Sequence, residues 1–223
     1  MSLDQHHISH QNEVWRVNAN LALLEALLNY VDRPSKVVDV GCGYGYFLRA
    51  CEEILQEVEV FGLDGPWVDH RFLQFSPDSF YTVDLISDSC WPRIEADLVV
   101  CLEVIEHLPP DRGLSFCEEL VSFKSPILFS AAIPGQGGQG HVNERLPSFW
   151  MNEFKRLGFI PTDCLHPHIW VDNRLPFWFK QNPILIVPEE QQQRYPHHLK
   201  PTNFKLFDRI HPEMIYTNSR VVG

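Results

Sequence analysis

The six cysteines of this sequence, Cys42, Cys51, Cys90, Cys101, Cys117 and Cys164, include no C-x-x-C pair. Neither a zinc knuckle nor a disulfide framework is therefore expected, and a reducing cytoplasm is the simplest setting. Basic residues are also scarce: 18 Lys and Arg against 29 Asp and Glu leave a net charge of −11. Nucleic acid is accordingly not an expected partner, because binding to it draws on Lys and Arg displacing phosphate counterions. No stretch approaches the roughly 18 consecutive apolar residues of a spanning helix, and the N-terminal region lacks a signal-peptide core, so no membrane is expected. Of the eleven histidines, His6, His7 and His10 lie in a polar terminal stretch and His197 and His198 stand beside prolines and glutamines. No metal site is expected from them. There is no internal repeat, and nothing in the pattern speaks to oligomeric state.

What is present describes an ordinary globular chain. Its 223 residues are 44% hydrophobic and 21% charged, which suits one α/β domain with embellishments. Residues 1–11 read as a mobile N-terminus, 12–187 as a single domain opened by a helix, and 188–223 as a C-terminal extension whose later apolar residues dock back. The opening helix is expected over 12–31, where Val14, Val17, Leu21, Leu24, Leu28 and Val31 recur at helical spacing; it ends before Arg33-Pro34.

The centre of the sequence is VVDVGCGYGYF, from Val37. Val37, Val38 and Val40 belong to a near-continuous apolar run, the sign of a parallel strand buried on both faces. Gly41, Gly43 and Gly45 then allow positive φ and close approach of a ligand to backbone, before a helix opens at Tyr46. A dinucleotide site and an S-adenosylmethionine site both use such a bend. The dinucleotide fingerprint is G-x-G-x-x-G, whereas this chain has G-x-G-x-G. Asp39 adds a charge argument, since a carboxylate repels a pyrophosphate and attracts the ammonium and sulfonium of S-adenosylmethionine.

Further along, Val58–Leu63 reads as a second strand ending in Asp64-Gly65. A carboxylate at that tip, about twenty residues past the first glycine, can accept both hydroxyls of a ribose. Phe80, Tyr81 and Val83 make a short third strand that ends in Asp84-Leu85, and ADLVVCL from Ala96 makes a fourth, followed by EVIEHLPP. DVGCGYGYF, GLDG, VDL and DLVVCLEVIEHLPP, in this order, resemble the class I S-adenosylmethionine-dependent methyltransferases over about residues 36–108. The resemblance implies a Rossmann-like, doubly wound α/β fold: a seven-stranded sheet, mostly parallel with one antiparallel edge strand, and helices on both faces. It implies S-adenosylmethionine as cofactor and S-adenosylhomocysteine as product. Asp39, Gly41, Gly43 and Gly45 would meet the methionine moiety, Asp64 and Gly65 the ribose, Asp84 and Leu85 the adenine, and Cys101, Leu102 and Glu103 would lie under the cofactor.

A helix over 114–123 and a fifth strand over 127–133 come next. The loop GQGGQGHVNE after Pro134 holds four glycines in six residues without a basic residue or a following G-K-[ST], so it is read as a mobile lid, not a phosphate loop. This segment is similar to one subset of methyltransferases with a histidine-asparagine-glutamate loop after the fifth strand. A helix over 147–157 is closed by Gly158, and strands are expected over 159–165 and 182–187. The aromatic stretch between them reads equally as core or as an acceptor wall.

The expected activity is methyl transfer, by in-line displacement, to a small-molecule or saccharide acceptor, most naturally a hydroxyl. His141 and His107 are the candidate bases, and Asn143 and Glu144 the candidate acceptor contacts. A methyltransferase-like binding subunit without turnover and a nicotinamide-dependent oxidoreductase stand as alternatives.

Overall fold

The computed structural model describes residues 10–87, 91–195 and 203–219. Residues 1–9 of the expected mobile N-terminus lie outside these, as do His197, His198 and Cys90; His10 and Gln11 already belong to the first helix. The other five cysteines are buried free thiols.

Seven strands form one sheet in the order β3-β2-β1-β4-β5-β7-β6. They are β1 (Lys36–Val40), β2 (Glu59–Asp64), β3 (Phe80–Thr82), β4 (Leu98–Leu102), β5 (Ile127–Ser130), β6 (Phe159–Thr162) and β7 (Ile184–Pro188). Pairing is parallel from β3 through β5. At the other end β7 runs antiparallel to both β5 and β6, entering between them. The expected seven-stranded, mostly parallel sheet is thus present, with its antiparallel strand one place in from the edge. Strand β1 sends the chain outward to β2 and β3, and β4 then returns to its other side. That reversal opens a crevice beyond the C-terminal ends of β1 and β4, where ligands of doubly wound sheets bind.

Helices cover both faces. Helix α1 (His10–Leu27) packs on α2 (Tyr46–Ile54), and together they seal an apolar core that contains Leu23, Leu27, Val37, Leu48, Leu98 and Leu128. Helices α3 (Pro110–Val121) and α4 (Pro147–Arg156) close the other face over Val38, Val40, Val99, Phe116, Phe129 and Phe154. This division follows from strand alternation, since successive side chains of β1 and β4 point to opposite faces. Both α3 and α4 begin with proline at the first helical position, where the missing N–H costs nothing. Gly158, at φ 83°, stops α4 as expected.

Short helices α5 (His166–Ile169) and α6 (Phe177–Gln181) fill the β6–β7 connection. Leu165, Ile169 and Leu175 from this stretch are core residues, while Trp178 meets Trp15 of α1 edge to face at 6.4 Å. The later tail docks through specific contacts. Phe207 is buried among the α3 and α4 side chains, a burial worth about 1.5–3 kcal/mol. Asp208 accepts the Ser148 amide at 2.8 Å and its hydroxyl at 2.7 Å, supplying an anion to the N-terminal turn of α4. Helix α7 (Pro212–Ser219) adds Glu213, which pairs with the buried Lys180 at 2.6 Å.

Candidate active site

The glycine bend after β1 is built from three unequal residues, all at positive φ. A Cβ on Gly41 would stand 2.4 Å from the Val104 side chain, and one on Gly45 would stand 2.2 Å from Phe75, whereas one on Gly43 would meet nothing within 4 Å. Gly41 and Gly45 are demanded by packing and backbone conformation, and Gly43 alone leaves open space beside bare backbone.

Asp64 ties the bend to β2. Its Oδ2 accepts the Gly43 amide at 2.7 Å and its Oδ1 the Gly65 amide at 2.6 Å. A carboxylate offers about four lone-pair sites; these two amides and the Trp67 side chain take three of them, which leaves one for a ribose hydroxyl. Gly65 is covered by the Trp67 ring, 2.2 Å from where its Cβ would be. Asp39 lies beneath in β1 and is 5% exposed. Burial first, and the neighbouring Asp64 second, push its pKa up to about 8, and no hydrogen bond among the described residues contributes. A buried carboxyl without a hydrogen-bond partner among the described residues, beside an open glycine, suits a ligand that brings an ammonium group. These residues fit the methionine and ribose ends of S-adenosylmethionine.

Other expected contacts are placed differently. Cys101 is fully buried in the α3–α4 core, and Leu85 is packed into the same core. The alternation of β4 that turns Cys101 inward leaves Leu102 half-buried on the other face. Asp84 closes its own turn, accepting the Ile86 amide at 3.0 Å and the Ser87 hydroxyl at 2.9 Å.

Past β4 the chain turns sharply, with Glu103 at φ 56°, a conformation rare for a side-chain-bearing residue. Its amide is held by the Ser130 hydroxyl at 3.0 Å. Its carboxylate receives Gln136 at 2.8 Å and Asn182 at 3.0 Å. Glu103 thereby joins β4, the glycine loop and the start of β7. Neither Gln136 nor Asn182 stood out in the sequence, since lone amides in polar stretches carry no pattern.

The glycine loop folds back on itself around Glu144, which accepts the amides of Gly135 and Gly137 at 2.9 and 3.0 Å and the Nδ1 of His141 at 2.9 Å. The backbone carbonyl of Glu106 receives the amides of Val142 and Asn143 at 2.8 and 3.0 Å. These bonds bring the ring of His141 against that of His107, centroids 4.8 Å apart and nearly perpendicular. Desolvation by the loop, and then the proximity of His141, hold the His107 imidazole below its ordinary pKa. The two expected catalytic histidines therefore share one place. Asn143 is buried, with its Nδ2 toward Gly113 of α3 and its Oδ1 accepting from Arg145 Nε at 3.1 Å. Glu144 orients His141 and the loop amides.

The fold, the glycine bend and Asp64 define a class I S-adenosylmethionine-dependent methyltransferase. The family described as a methyltransferase domain matches residues 8–120, half of the chain, and the chain belongs to that family. This overturns the nicotinamide alternative. Among solved structures, human N-acetylserotonin methyltransferase in complex with SAM is similar at 19% identity and TM-score 0.56, covering 80% of this chain and 54% of that one. The present chain therefore spans about half the length of that relative. A putative methyltransferase from Haloferax volcanii, in complex with the Trm112 methyltransferase activator, is similar at 16% identity and TM-score 0.58, covering 81% and 95%. The plantazolicin methyltransferase BpumL, in complex with a pentazolic desmethylPZN analog and SAH, is similar at 13% identity and TM-score 0.53, covering 80% and 86%. No curated protein matches the sequence. Among the described residues no helix is long and apolar enough to cross a membrane.

Proposed function

We propose that this protein methylates a hydroxyl of a small-molecule or saccharide acceptor at the His107–His141 pair. S-adenosylmethionine, when bound, supplies a methyl group activated by a sulfonium. The chain's own residues do the rest. Asp39 meets the ammonium end, Asp64 accepts from the ribose, and Gly43 lets the backbone approach. Glu103, locked by Gln136 and Asn182, fixes the turn between this crevice and the histidines. Alignment of reacting atoms is the main contribution asked of the protein. A hydroxyl must also lose its proton near the transition state, and imidazole is the side chain suited to that at neutral pH.

The observation that carries the reading is the 2.9 Å contact of His141 Nδ1 with Glu144. It leaves the ring Nε2 free of the carboxylate, with the ring packed over Gly138 and against His107. The net charge of −11 supports an acceptor other than a polyanion. Incubation with a methyl-labelled donor and a pooled panel of hydroxyl-, amine- and carbon-acceptor compounds tests it. Label in an ether product, with demethylated donor released in equal amount, is the expected result. Label confined to nitrogen or carbon products overturns the hydroxyl assignment. Tight S-adenosylhomocysteine binding with no turnover on any acceptor would favour a binding subunit.

A further inference from the structure

Glu106 is the least explained residue of the site. It is fully buried, and among the described residues no side chain hydrogen-bonds either carboxylate oxygen; only the backbone at Glu106 and Ala132 approaches them. A buried carboxylate without a charged or side-chain partner is costly, and a bound cation would offset that cost. The side chains of His107 and His141 each bring a ring nitrogen near it, and the three ligating atoms lie within 4.8 Å of one another. Glu103 and Glu144 add two more carboxylates whose charges act on Glu106. Among the described residues, no Lys or Arg pairs with any of the three. The locality thus holds three acids and two imidazoles without a compensating cation.

We infer that Glu106, His107 and His141 bind a divalent transition-metal ion. Two imidazoles and one carboxylate, with coordination positions left over, form a donor set suited to zinc, manganese, iron or cobalt; all-oxygen sets suit calcium and magnesium. Ligand atoms about 2.1 Å from such an ion stand at most about 4.2 Å apart, so the site closes by roughly half an ångström on loading. That movement is available, because His107 is at the surface and His141 sits on a glycine loop. The outer shell is already in place. His141 gives Nδ1 to Glu144 at 2.9 Å, which leaves Nε2 for the ion, the carboxylate–histidine–metal arrangement that fixes ring orientation. The carbonyl of Glu106 meanwhile holds the two amides after His141, so ligand and loop are tied at the same residue. The three side chains lie on two separate segments and share no recognisable metal-ligand spacing, so no metal motif is visible in the sequence.

The inference rests on placing the acceptor beside the histidines, and it changes how they act. As ligands they do not take the proton. The acceptor oxygen meets the ion, its hydroxyl proton passes to solvent, and the oxygen–methyl bond forms while the carbon–sulfur bond breaks and sulfur keeps the electron pair.

Cobalt(II) added to chelator-treated full-length protein tests the site, read by its visible ligand-field absorption. One ion per chain is expected. Affinity should fall at least tenfold in Glu106→Gln and in His107→Ala, with S-adenosylhomocysteine binding unchanged. His107 is exposed, so its variant remains informative if Glu106→Gln does not fold. A control lacking His6, His7, His10, His197 and His198 should retain the signal. Absorption lost in that control, or undiminished in both site variants, overturns the inference, as does no absorption at all. Cobalt bound at these residues without any hydroxyl methylation would leave the site standing and overturn the acceptor reading. Full hydroxyl methylation by metal-free protein that takes up no cobalt would do the reverse.

Discussion

His107 and His141, one just past β4 and the other in the glycine loop after β5, stand edge to face with ring centroids 4.8 Å apart. Removing either should damage the chemical step more than cofactor binding, because neither touches the glycine bend. For His141→Ala we expect single-turnover methyl transfer about 10²- to 10⁴-fold slower, with S-adenosylhomocysteine affinity within error of the parent. Full single-turnover rates in both variants would mean that alignment alone carries the reaction.

Gly41 and Gly43 should respond differently to the same substitution. Gly41→Ala places a Cβ 2.4 Å from Val104 at φ 79°, so strain and overlap should lower the melting temperature, strain alone costing about 1–3 kcal/mol. Gly43→Ala, at φ 52° in open space, should unfold less readily than Gly41→Ala and yet lose cofactor affinity. Thermal denaturation and calorimetry on the two proteins decide it; equal melting temperatures with equal affinities would contradict the assignment.

Asp39 makes stability depend on pH in a direction opposite to that of a salt-bridged acid. Its folded pKa of about 8 lies above the ordinary value of about 3.9, so between them the folded state holds a proton that the unfolded state has lost. Its contribution to stability is therefore complete below about pH 4 and is lost as the pH rises through about 8. Asp64 is also raised, first by burial, and acts in the same sense. The melting temperature of cofactor-free protein should fall over this range, and Asp39→Asn should flatten the fall.

Binding a ligand that carries an ammonium group should draw Asp39 into its ionised form and release a proton near neutral pH. Calorimetric enthalpies of S-adenosylhomocysteine binding should accordingly vary with the ionisation enthalpy of the buffer, and vary less in Asp39→Asn. Identical buffer dependence in the two proteins would place the proton elsewhere.

Glu144 gathers two loop amides and one histidine. In Glu144→Ala, hydrogen exchange over residues 135–142 should accelerate, and the chemical step should slow with His141 released from its orientation. In the parent protein the same amides should be better protected with cofactor and acceptor present than without them. Protection that is the same in all three conditions would remove the loop from the catalytic cycle.

Local sequence determined the parts of this protein whose physics is local. Three valines around Asp39 specify a strand buried on both faces. Gly41 and Gly45 specify a bend that no other residue accommodates, and Pro110, Pro147 and Gly158 mark where helices start and stop. The order of these signals carried the sheet and the cofactor end of the site. Tertiary structure decided what depends on distance between segments. Only the fold shows that Val104 and Phe75 fill the space beside Gly41 and Gly45, that Cys101 and Leu85 face the core, and that Asn143 turns inward. It also decides that the Glu106 carbonyl captures the loop after β5 and so brings His141 to His107. Backbone hydrogen bonds between distant segments leave no periodicity or composition in the chain, because they constrain positions in space and not residue types.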